Sequence, residues 1–118
     1  MNKILKLGAA ISGVCLASQA YALNILVTND DGYSAPGIQA VYSTLSAIGH
    51  TVYLVAPKEN NSGIGGAVNT AIGEPVEIMN FAPNQWFVDG TPKDSVNAAL
   101  DVILADQDID LVVSGANF

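Results

Sequence analysis

Arginine is absent from this chain of 118 residues, and cysteine and histidine occur once each. The one cysteine, Cys15, falls in a segment that reads as a leader, so the mature part has neither a disulfide framework nor a thiol nucleophile. Cations are scarce throughout: four lysines face eleven acids, for a net charge of −7. Lys3 and Lys6 give a short basic start, residues 7–17 are apolar and small, and Ala20-Tyr21-Ala22 fits the small-x-small rule for signal peptidase. The apolar run is too short to span a bilayer as a stable helix. Residues 1–22 are therefore expected to be a cleaved signal peptide, with the mature chain running from Leu23 to Phe118 in the periplasm or outside the cell. A lipoprotein reading centred on Cys15 is weaker, because Val14 stands where a small residue is wanted; a buried amphipathic helix is the bland alternative.

Cleavage leaves Lys58 and Lys93 as the only basic side chains, a net charge of about −9. So acidic a surface argues against nucleic-acid polymers and anionic membranes as partners, since both need clustered cations. An anionic small molecule is hard to hold for the same reason, unless a metal supplies the positive charge. The sole histidine, His50, sits in a Gly-His-Thr turn and is expected at the surface, which argues against a phosphohistidine. Asn60-Asn61-Ser62 matches a glycosylation sequon, but the short leader looks bacterial and the match reads as chance.

What the chain does have is Ile25-Leu26-Val27-Thr28-Asn29-Asp30-Asp31-Gly32, an apolar run leading into two adjacent carboxylates and a glycine. Such a run makes a buried parallel strand, and ligands of open α/β sheets sit beyond the carboxyl ends of these strands. Adjacent carboxylates repel, and a hard cation bound through oxygen relieves the repulsion. Taken alone, Asn29-Asp30-Asp31-Gly32 after a strand is more often a turn.

Further along, Ile38, Val41, Tyr42, Leu45 and Ile48 recur at helical spacing between Pro36 and Gly49, and Thr51-Val52-Tyr53-Leu54-Val55 is a second strand. Strand, helix and strand form one right-handed βαβ unit and imply a parallel sheet. A polar, glycine-rich loop at 57–66 follows on the same rim as Asp30 and Asp31. Short extended stretches at 68–72, 76–79 and 86–88 suggest a small antiparallel excursion. Thr91-Pro92-Lys93-Asp94 is a helix start with a threonine cap and an acid three residues on, and Val96, Ala99, Leu100, Ile103 and Leu104 form the expected buried face. Leu111-Val112-Val113-Ser114-Gly115 reads as another buried strand. Repeats, low-complexity tracts and interdomain linkers are missing, so one α/β domain is expected over 23–118.

Four segments, in order and spacing, resemble the survival protein E (SurE) family of metal-dependent nucleotidases and acid phosphatases: 25–32, Ala56-Pro57 to Ser62-Gly63, Gly90-Thr91-Pro92-Lys93-Asp94, and Val113-Ser114-Gly115-Ala116-Asn117. The resemblance implies a three-layer Rossmann-like fold with a mainly parallel sheet, here reaching well under half of a full-length member. It implies a divalent cation, Mg²⁺ or Mn²⁺, held by Asp30, Asp31, Ser62 and Asn117. All four are hard oxygen donors, whereas zinc recruits His or Cys. It implies hydrolysis of a nucleoside monophosphate, with Asp30 or Asp31 catalytic and Asp30 the favoured base. Asn29, Ser62 and Gly63 would line the substrate rim, with the glycine-rich loop amides cradling phosphate, and the full-length form would be a homo-oligomer.

The departures matter too. Asn61 stands where many relatives have a basic residue, removing an expected phosphate contact, and Ser95 stands where they often have cysteine. Most members are cytoplasmic, so a leader implies an exported variant. The strand at 111–114 would lie centrally in the family sheet, and the expectation is either a fragment of a longer protein or a truncated gene product. The alternative to an enzyme is thus an inactive α/β remnant or metal-binding module that keeps the ligands and lacks the rest of the site.

Overall fold

Strand β1 (Asn24–Thr28) carries three consecutive apolar side chains, and the alternation of a strand sends Ile25 and Val27 to one face and Leu26 to the other. An apolar run without polar interruption needs cover on both sides, and the chain supplies it with one helix per face. The structure, a computed structural model, describes residues 22–60 and 76–116. Helix α1 (Pro36–Ala47) places Ile38, with the half-buried Val41, Tyr42 and Leu45, over Ile25, Val27, Val52, Leu54 and Ala56. On the opposite face, helix α2 (Pro92–Ala98) and the π-helical turn Ala99–Ile103 that extends it bring Ala99 and Leu104 against Leu26, Val55 and Val88. The result is the expected α/β arrangement of helix, sheet and helix.

The sheet is ordered β3 (Ile78–Ala82), β4 (Gln85–Val88), β2 (Thr51–Pro57), β1, β5 (Leu111–Ser114). β1 pairs in parallel with both β2 and β5, and β2 in parallel with β4; only β3 with β4 is antiparallel. The antiparallel excursion is therefore a hairpin at the edge of the main sheet. It turns at Asn84, which takes the left-handed φ of 59° that asparagine tolerates. The expected stretch at 68–72 and the leader at 1–21 lie outside the described residues. No helix among the described residues is long and apolar enough to cross a membrane.

Both helix ends anticipated from local chemistry form. Gly49 adopts a φ of 104° just past α1, and the His50 N–H closes back on the Leu45 carbonyl at 3.2 Å. At α2, Thr91 Oγ1 accepts from the Asp94 N–H at 3.1 Å while Asp94 Oδ2 accepts from the Thr91 N–H at 2.9 Å, a closed capping box.

Three expectations are corrected. Leu100 is 40% exposed, because the turn containing it closes from the Leu104 N–H to the Ala99 carbonyl, five residues apart, and is wider than the α-helical turn its spacing assumed; Leu104 is buried as expected. His50 is half-buried, with Nδ1 accepting from the Leu23 N–H at 3.0 Å. Finally, β5 is not a buried strand: Leu111 and Val112 are 46% and 44% exposed, and among the described residues β5 pairs only with β1.

Candidate functional site

Because β1, β2, β4 and β5 run parallel, their carboxyl ends share one rim, and the register aligns them closely. Thr28 lies opposite Ser114, and Pro57 opposite Val88. Each strand's exit is then tied to its neighbour's last residue: the Tyr33 N–H donates to the Pro57 carbonyl (2.8 Å), Lys58 N–H to Val88 (2.8 Å) and Gly115 N–H to Thr28 (2.9 Å). All four segments that carry the family resemblance thus touch this rim with at least part of their length.

The loop leaving β1 holds Asp30 and Asp31 and is closed upon itself. Asn29 is 1% exposed; its Nδ2 donates to the Gly32 carbonyl at 2.8 Å and its Oδ1 accepts from the Gly32 N–H at 3.2 Å. Both ends of the amide are used within the loop, so Asn29, expected to line the substrate rim, instead fixes the turn that presents the two carboxylates. Gly32 takes a φ of 108°, and a Cβ there would stand 3.4 Å from the Glu59 carbonyl carbon and oxygen, so the loop lies against the exit of β2. Gln39 of α1 donates to the Tyr33 carbonyl at 2.9 Å. The Tyr33 ring packs 4.6 Å from Phe81 and 4.8 Å from Phe87, centroid to centroid. Aromatic pairs at this separation add to the area they bury, and here they pin the residue that follows Gly32. The role of Tyr33 was not visible in the sequence, since its partners lie about fifty residues away with no local signal joining them.

Within this scaffold one carboxylate oxygen stands out. Asp30 Oδ1 is buried and has no hydrogen-bond partner among the described residues. Buried carboxylate oxygens are ordinarily satisfied, and a cation answers both the charge and the missing partner. The donor set therefore fits a hard divalent cation, although the described residues contain no cluster of three His, Cys, Asp or Glu. Ser62, Gly63 and Asn117, the other expected site residues, lie outside the described residues. The described residues nearest them in sequence, Asn60 and Ala116, follow β2 and β5 at the same rim.

A mainly parallel sheet between helices, with an acid pair at the carboxyl end of a strand paired on both sides, defines the class as an α/β protein. The family model described as survival protein SurE matches residues 25–118. The 5'-nucleotidase SurE of Treponema pallidum (strain Nichols) is 41% identical over 97 residues, covering 80% of this chain and 51% of that protein. The 5'-nucleotidase SurE of Geobacter sulfurreducens is 43% identical over 95 residues, covering 80% of this chain and 35% of that protein. Among solved structures, the SurE protein from Aquifex aeolicus superposes with a TM-score of 0.70 at 40% identity, over 80% of this chain and 37% of that one. The chain belongs to the SurE family, and it spans between about a third and a half of the length of the relatives it matches.

Proposed function

We propose that this chain carries the cation-binding part of a phosphomonoesterase acting on nucleoside monophosphates. The observation that carries the reading is the unpartnered, buried Oδ1 of Asp30 beside Asp31 at the carboxyl end of β1. The relatives named 5'-nucleotidase SurE support the substrate class. Asp30 and Asp31, joined by Ser62 and Asn117, would hold Mg²⁺ or Mn²⁺, which when bound neutralises phosphoryl oxygens and lowers the pKa of water. Asn29 keeps the two aspartates on one rigid turn. Asp30 accepts the proton of the attacking water, and the amides of the loop containing Ser62 and Gly63 bind the phosphate, since glycine lets amides approach an anion closely. The chain has no arginine and, beyond residue 22, only Lys58 and Lys93, so the cation would supply much of the charge complementarity to the phosphate.

Two further parts of the reading are proposals in their own right. Residues 1–22 act as an export signal, tested by sequencing the amino terminus of the protein recovered from the periplasm. The assembled protein is a homo-oligomer, tested by its mass in solution.

The central experiment measures phosphate release from nucleoside monophosphates with Mn²⁺ and with excess EDTA. Activity is expected only with the metal. Undiminished release in EDTA overturns the cation-dependent reading. Mn²⁺ binding with no phosphate release under any condition favours the metal-binding module instead.

A further inference from the structure

The Asp30 oxygen is not alone in lacking a partner at the end of β1. Thr28 is 3% exposed, and its Oγ1 is likewise buried without a hydrogen bond among the described residues. Its carbonyl accepts from the Gly115 N–H and the residue pairs with Ser114 across to β5, so the backbone is tied into the sheet while the side-chain hydroxyl has no hydrogen bond among these residues. Burying a hydroxyl without a partner costs free energy, and native structures rarely do so. Ile25, Leu26 and Val27 precede it in the same strand, all buried and apolar, and valine would fill the threonine site with the same branched shape and no such cost. Thr28 Oγ1 and Asp30 Oδ1, two residues apart at the end of β1 and one of them on a carboxylate, are thus both buried without a hydrogen bond among the described residues.

We propose that Thr28 is a positioning residue of the cation site. Its hydroxyl donates to the oxygen ligands gathered around a divalent cation at Asp30 and orients them. The proposal rests on the cation reading above and assigns a role to a residue outside the expected ligand set. Groups that hydrogen-bond to metal ligands in this manner are typically worth about 10- to 100-fold in affinity.

The test uses the full chain and Mn²⁺ alone, titrated calorimetrically, together with thermal melts of the metal-free protein for wild type, Thr28→Val and Thr28→Ser. Thr28→Val is expected to bind Mn²⁺ about 10-fold or more weakly. Metal-free, it should melt about 4 to 8 °C higher, because the uncompensated hydroxyl is gone. Thr28→Ser, which keeps the hydroxyl, should return affinity to near the wild-type value. A Thr28→Val chain that binds Mn²⁺ as tightly as wild type overturns the proposal and leaves the cation reading standing. A metal-free Thr28→Val chain that melts lower, or fails to fold, also overturns it, since the hydroxyl would then have a structural partner. If the wild type binds no Mn²⁺, the cation reading itself fails and the proposal falls with it.

Discussion

Strands β1 and β5 lie side by side in register and have much the same composition, yet one is sealed and the other is open. Ile25, Leu26 and Val27 are buried between α1 and α2 with a strand on either edge, whereas Leu111 and Val112, opposite Ile25 and Leu26, remain nearly half exposed. Apolar side chains in a row record how much cover a strand is built to receive. The cover itself comes from elsewhere in the sequence. The consequence reaches the site, because Asp30 and Asp31 leave the sealed strand while the expected ligand Asn117 lies just past the open one.

The largest effect should come from damaging the sealed strand. Leu26→Ala removes a side chain packed among Val55, Val88, Ala99 and Leu104 and leaves a cavity there. A loss of about 3 to 5 kcal/mol is expected by urea denaturation, against less than about 1 kcal/mol for Val112→Ala on the open strand. Equal losses at the two positions would erase the contrast and show that β5 is covered in solution.

The site provides the next test. Asp31→Asn keeps the size of the side chain on a turn that Asn29 and Gly32 close, but removes one charge from the acid pair. Turnover in the presence of Mn²⁺ should fall about 100-fold or more, with an unchanged circular dichroism spectrum. A variant as active as the wild type would mean that the pair serves only as a turn.

Sequence pattern was most informative where the determinants are close together. The capping box at Thr91 and Asp94 and the glycine cap at Gly49 each depend on a few consecutive residues, and both form as expected. The acid pair was legible in its position at a strand end, since an apolar run followed by polar residues marks that boundary. The inward orientation of Asn29 was not, because the same four residues can close a turn in several ways and only burial against the sheet selects one. Leu100 escaped for a related reason: it falls inside a single widened turn, of which its helical spacing gives no sign. Tyr33, clamped by Phe81 and Phe87, depends on a hairpin far along the chain.

The smallest effect on stability, and the sharpest probe of the open strand, is Val112→Lys. Nearly half of the valine is already exposed, so a lysine can direct its charge to water along its own stem, and the folding free energy should change by no more than about 0.5 kcal/mol. Association should respond more strongly. An edge strand with exposed apolar residues pairs readily with other chains, and an added lysine is a common natural safeguard against such pairing. Light scattering of the chain at rising concentration should therefore show less self-association for Val112→Lys than for wild type. If instead the substitution destabilises the fold by several kcal/mol, the outer face of β5 is buried in the folded form, and the contrast with β1 would be one of which partner does the covering.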